Sequence, residues 1–76
     1  MREQRVVAFE IVEHIGVISE DDKGWKKELN LVRWNEGAAV FDIRSWDEDH
    51  YCMTRGLTFT PWETKMLYEL LKKHYK

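Results

Sequence analysis

The stretch from Gly24 to Trp46 constrains this chain more than any other. Two runs rich in β-branched and aromatic residues flank Asn35-Glu36-Gly37, a short polar segment that ends in glycine. This pattern predicts a β-hairpin. Three of the four tryptophans, Trp25, Trp34 and Trp46, fall inside it, interleaved with Lys26, Lys27, Arg33 and Arg44. Aromatic rings mixed with cations on a sheet suit an unpaired nucleic-acid strand, because bases stack on the rings and phosphates meet the charges. A core needs the rings but not the cations.

Upstream, residues 6–19 are β-rich and alternate imperfectly, which predicts a first strand. Phe9, Ile11, Ile15 and Val17 share a parity and form its expected buried face; Glu13 interrupts that face, and Gly16 marks an expected bend or bulge. The polar cluster Glu20-Asp21-Asp22-Lys23-Gly24 reads as a turn. In the second strand, about Trp25 to Trp34, neither parity is cleanly apolar, so the core-facing side stays open. The third strand divides more clearly. Phe41, Ile43 and Ser45 look like core, whereas Asp42, Arg44 and Trp46 look like a working surface. A polar loop over 47–54 leads into a short fourth strand, Arg55 to Phe59.

Thr60-Pro61-Trp62-Glu63 then announces a helix, with Thr at the N-cap, Pro at the first helical position and Glu placed to reach back. Trp62, Met66, Leu67, Leu70 and Leu71 recur at helical spacing as far as about His74, with Trp62 expected in the core. Lys72, Lys73 and Lys76 lie at the end where the helix dipole favours cations. The expected fold is α+β: a four-stranded antiparallel curved sheet followed by one C-terminal helix, β-β-β-β-α. One helix covers one face of such a sheet and leaves the other for a ligand or partner.

At 76 residues this is a single domain, of a size that buries only about 60% of its unfolded surface, so a dimer would help it. A lone cysteine, Cys52, excludes an internal disulfide and fits a reducing compartment. The apolar run at Val6-Val7-Ala8 is too short for a signal peptide or membrane span, so a soluble, cytoplasmic protein is expected. The net charge of -2 counts against nucleic-acid binding when taken as a sum. Its placement points the other way. The acids gather in Glu20-Asp21-Asp22 and Asp47-Glu48-Asp49, both expected loops, while Lys23, Lys26, Lys27, Arg33, Arg44 and Arg55 lie in strands or at their ends. Screening confines each field to about 10 Å, so a positive groove on an acidic protein is physically sound.

Several segments together resemble a known group. They are Phe9-Glu10-Ile11, Lys23-Gly24-Trp25-Lys26-Lys27-Glu28-Leu29-Asn30, Arg33-Trp34-Asn35, Phe41-Asp42-Ile43-Arg44-Ser45-Trp46, Asp49-His50 and Arg55-Gly56-Leu57-Thr58. They look like the bacterial YdbC family, relatives of the eukaryotic transcriptional coactivator positive cofactor four. The resemblance implies a homodimer whose sheets form channels for single-stranded DNA, with the helices at or near the dimer interface. By position it implies stacking roles for Trp34 and Trp46, a channel cation at Arg44, a further cation at Arg55, and basic contacts at Lys26 and Lys27. This chain departs from the coactivator in carrying Asp47-Glu48-Asp49 where the coactivator is more basic, and Leu31 and Val32 where a cation could serve.

The resulting expectation is a single-stranded-DNA-binding protein with little sequence preference, nucleoid-associated and acting in transcription, replication or repair. Its expected contacts are Lys23, Trp25, Lys26, Lys27, Arg33, Trp34, Arg44, Trp46 and Arg55. The alternatives are a protein-interaction module using the open sheet face, and a single-stranded RNA binder. The tryptophans could equally be core, and the cations solvated or paired with Glu28 and Asp42. Asp47, Asp49, His50 and Cys52 offer metal-ligand types at a spacing that matches no closed zinc pattern, and His14 and His74 stand isolated. No phosphate loop or nucleophile–base set occurs, so no enzyme, cofactor, metal or small-molecule substrate is expected.

Overall fold

The structure, a computed structural model, describes residues 8–76. Val6 and Val7, expected to open the first strand, lie outside the described residues. The elements follow as β1 (Phe9–Glu20), β2 (Lys26–Trp34), β3 (Ala39–Trp46), β4 (Leu57–Phe59) and α1 (Pro61–His74). The strands form one antiparallel sheet in the order β1-β2-β3-β4. The β-β-β-β-α architecture is therefore the one the sequence predicts.

Local chemistry sets each turn. Asn35 and Glu36 both adopt left-handed backbone angles (φ 49° and 65°), and the Gly37 N–H donates to the Trp34 carbonyl at 2.8 Å. Two left-handed central residues make a mirror-image turn whose twist matches that of the strands it joins. Before β2, the Asp21 carboxylate accepts from the N–H groups of both Lys23 and Trp25 at 2.9 Å, and Gly24 takes φ 89°. At the helix, Thr60 and Glu63 form the complete reciprocal capping box, and Pro61 occupies the first turn.

The register explains where the core lies. β2 pairs β3 without a break from Lys26↔Trp46 to Arg33↔Ala39. β1 pairs β2 with three register shifts, which leave Val12, Ile15 and Ile18 as extra residues on β1. Each shift resets the inward parity and adds twist. The β1 residues opposite the even positions of β2 are Phe9, Ile11, His14, Val17 and Glu20, spaced by three instead of two from Ile11 onward. Of the expected buried face of Phe9, Ile11, Ile15 and Val17, the register removes Ile15, an extra residue at a shift, and burial corrects the rest. Of these, Ile11 alone is half-buried and the other three are exposed. Gly16 does lie at a shift, as expected.

A second correction concerns β3. Asp42 and Trp46, expected on an open working surface, are wholly buried with Val32 and Asn30 on the inner face of the curved sheet. Phe41, Ile43 and Ser45, expected as core, are only half-buried. Phe41 and Ile43 instead line an apolar groove of about 330 Å³ with Leu29, Phe59, Leu67 and Leu71, between the sheet and α1. The helix buries no residue completely. Trp62, expected in the core, is 68% exposed, because α1 meets the sheet chiefly through Leu67 and leaves its remaining apolar stripe uncovered. No helix among the described residues is long and apolar enough to cross a membrane.

Gly56 fixes how closely β4 approaches β3. A Cβ there would overlap the carbonyl oxygen of Ile43 and come within 2.5 Å of Arg44 Cβ. At Gly16, by contrast, a Cβ would meet nothing within 4 Å. Gly56→Ala should therefore destabilise the fold by about 1–3 kcal/mol, while Gly16→Ala should be neutral or stabilise by up to about 1 kcal/mol. Urea denaturation of the two variants checks the contrast, and equal midpoints would contradict it.

Candidate nucleic-acid interface

Because β2 and β3 pair without a slip, their inner-facing residues meet in opposed couples: Lys26 with Trp46, Glu28 with Arg44, Asn30 with Asp42, and Val32 with Val40. At the end of β1, Phe9 lies opposite Trp34. This arrangement creates a row of π systems across three strands and a loop. The Arg44 guanidinium sits 4.6 Å from the Trp34 ring centre. Phe9 lies 5.7 Å from Trp34 and 5.3 Å from Trp46, and His50 lies 5.3 Å from Trp46 on the β3–β4 loop. The ring pairs are all tilted, at 44–46°. Both indole N–H groups, of Trp34 and of Trp46, are buried with no hydrogen-bond partner among the described residues.

Arg44 belongs to this row and is firmly held. Its Nε and Nη2 donate to the two oxygens of Asp42 at 2.8 and 2.7 Å, and Nη1 donates to the Met53 sulfur at 3.4 Å. The planar fork suits a bidentate carboxylate contact and stacking on an indole together. Arg44 is thus a positioned member of the aromatic surface, its charge balanced by Asp42, one of the pairings the sequence left open.

Glu28 is the other buried acid. Its Oε1 accepts from the Asn30 side-chain amide at 3.1 Å, and His50 Nε2 lies 3.1 Å from both carboxylate oxygens. From β1, His14 Nδ1 stands 2.7 Å from Asn30 Oδ1 and 3.6 Å from Glu28 Oε1. Burial, the largest influence, pushes the Glu28 carboxyl up. The hydrogen bonds from Asn30 and His50, with positive charge on His50 and His14, pull it down further and leave it below its ordinary 4.5. Neither histidine looks connected to Glu28 in the sequence, because both reach it only through the sheet's curvature and the loop, where His50 adopts φ 61°.

The remaining expected contacts divide by place. Lys27, Ser45, Thr54 and Arg55 line an open cleft of about 520 Å³ at the β3–β4 end, with Lys27 and Arg55 exposed. Lys23 is exposed on the β1–β2 loop, and Trp25 and Lys26 are half-buried. Arg33 faces away from the aromatic row and pairs with Glu10 at 2.8 Å. The structure thus gathers Trp34, Arg44, Trp46 and Lys26 on the inner face, and Lys27 and Arg55 in the cleft. Lys23, Trp25 and Arg33 belong to neither group. The polar loop acids hold local structure: the Asp47 carboxylate accepts from the Cys52 N–H at 3.0 Å. Among the described residues, no three His, Cys, Asp or Glu side chains are arranged to hold a metal ion.

Phe9 is the ring that sequence reasoning left out of the site. Its signal was available only in the pairing of β1 with Trp34, which the register shifts obscured.

A carboxyl group whose folded-state pKa is depressed adds stability above its ordinary value, and that stability is lost as pH falls through the lower, folded value. The fold should therefore weaken as the pH drops below about 4.5. Glu28→Gln should cost about 1–3 kcal/mol at neutral pH, because it alters a buried acceptor, and should make the acid limb shallower. Chemical denaturation between about pH 3 and pH 7 reads both effects. An acid limb unchanged by the substitution would show that Glu28 is not the titrating group.

No protein-family model matches the chain. It is 35% identical over 63 residues to an uncharacterized protein of Treponema pallidum (strain Nichols), a match that spans 83% of this chain and 74% of the treponemal one. The chain belongs to the same family as that treponemal protein.

Proposed function

We propose that this protein binds single-stranded DNA as a homodimer, with little sequence preference. The observation that carries the reading is the aromatic row on the inner face; the cleft that holds Lys27 and Arg55 opens on the other face of the sheet, because Lys27 and Ser45 share the parity of Leu29 and Ile43. Stacking contributes about 1–3 kcal/mol per base and is indifferent to base identity, since every base has a π face. Where the strand's backbone rounds the end of the sheet from the inner face, its phosphates would meet Lys27 and Arg55, with the Ser45 and Thr54 hydroxyls beside them. The resemblance to the YdbC family supports the same ligand. Action in transcription, replication or repair, and a place at the nucleoid in the cytoplasm, follow from that ligand.

The dimer rests on a separate observation. Val32 and Trp46 are the only fully buried hydrophobic residues among the described residues, while Trp62, Leu70 and Tyr68 on α1 are exposed beside an apolar groove. So small a core leaves a domain of this length marginal. A second copy would bring the same stripe, and a two-fold arrangement would cover both at once.

Anisotropy of a labelled oligothymidine of about 20 nucleotides tests the reading. Affinity should fall with salt at a log–log slope of roughly -0.7 per phosphate contact, and duplex should compete poorly. The exposed pair Lys27→Ala and Arg55→Ala should together shallow that slope by about 1.4 without altering the melting temperature. Failure to bind at low salt, or binding indifferent to salt, would instead favour a protein-interaction surface. RNA oligonucleotides in competition decide between the two nucleic acids.

A further inference from the structure

The cleft at the β3–β4 end has a charge composition at odds with the chain's net charge of -2. Lys27 and Arg55 line it as exposed cations, beside the hydroxyls of Ser45 and Thr54, and no aspartate or glutamate reaches its walls. Arg44 also lines it, but the Asp42 carboxylate balances that charge. Among the described residues, neither Lys27 nor Arg55 forms an ion pair.

The backbone brings these groups together. Lys27 and Ser45 are directly opposed across β2 and β3. The Thr54 N–H donates to the Ser45 carbonyl at 2.9 Å, and the Ser45 N–H donates to Thr54 Oγ1 at 3.1 Å. With its oxygen engaged as an acceptor, the Thr54 hydroxyl keeps its proton to donate. Gly56 lies flush on β3, where a Cβ would overlap the Ile43 carbonyl, so the segment carrying Arg55 stays close to the strand. Ammonium and guanidinium groups only donate, and hydroxyls can. Such a set suits the oxygens of a phosphate.

We infer that this cleft binds the terminal phosphate of a single strand. The inference rests on the single-strand reading above and adds to it a site for the strand's end. An internal phosphodiester carries a single charge, whereas a phosphomonoester carries about -1.5 to -2 at neutral pH and three acceptor oxygens. Two unpaired cations with two hydroxyls match the second. Position gives the same answer. Lys27 and Ser45 face away from the aromatic row, while their chain neighbours Lys26 and Trp46 lie on its side. A strand with its bases on the inner face reaches the cleft by turning round that end of the sheet. A chain end does so without carrying further nucleotides past it. The cleft shares only Ile43 with the apolar groove, so its cations and hydroxyls lie outside the surface proposed for the second copy.

The test measures anisotropy of internally labelled oligothymidines of equal length, with a 5′-phosphate, with a 3′-phosphate, or with neither. One of the two phosphorylated ends should tighten binding by about tenfold over the unphosphorylated strand. The double substitution Lys27→Ala and Arg55→Ala should abolish that difference. Equal gains at the two ends report added charge alone and overturn the inference, and so does an end preference that survives the double substitution. Thymidine monophosphate in competition separates a strand end from a free nucleotide. If it displaces the labelled strand as readily as unlabelled phosphorylated oligothymidine does, the strand end is not the ligand. Three strands bound alike overturn the end site and leave the single-strand reading standing. A protein that binds none of them at low salt overturns both.

Discussion

A carboxylate can remain in the interior of a protein only when its surroundings donate to it, and this fold buries two on one face of a single small sheet. Asp42 is satisfied by the Arg44 fork, and Glu28 by Asn30 and His50, with His14 close by. These contacts draw on β1, β2, β3 and the β3–β4 loop, so they specify the curvature of the sheet as much as they stabilise it. Removal of one partner leaves a buried charge uncompensated, which costs more than the contact itself contributed. The aromatic row depends on the same network. Arg44 lies on Trp34 because Asp42 holds its fork, and His50 lies against Trp46 because Glu28 holds its ring.

The polar inner face has a consequence for the other side of the molecule. With much of the inner face given to charge and amide groups, the apolar residues of the sheet, Leu29, Phe41 and Ile43, turn toward α1. A helix of 14 residues that touches the sheet through few side chains cannot cover them. The apolar surface left between sheet and helix and the small buried core are two aspects of one distribution. The proposed second copy addresses both. The aromatic row lies on the side of the sheet opposite that partner.

What could be read in advance follows the range of each interaction. The turn at Asn35-Glu36-Gly37, the capping box at Thr60 and Glu63, and the unbroken pairing of β2 with β3 depend on residues close in sequence, and all stand as expected. The grouping of side chains was legible in part: Arg44 and Trp46 share a face, as expected, and the register adds Trp34 to it. The assumption that failed was that the face carrying charge must be the one exposed to water. Alternation gives the two sides of a strand without saying which of them the sheet curls around.

The sequence by itself determined the order of elements, the hairpin, the helix start and the grouping of residues by parity in β2 and β3, because those depend on local backbone geometry and short-range hydrogen bonds. Only the tertiary structure decided that Trp46 and Asp42 are buried, that His14 and His50 converge on Glu28, and that Phe9 meets both Trp34 and Trp46. The physical reason is the strand β1. Its three extra residues shift the register against β2, bend the sheet and change which side chains face inward, an effect no periodicity within β1 reveals.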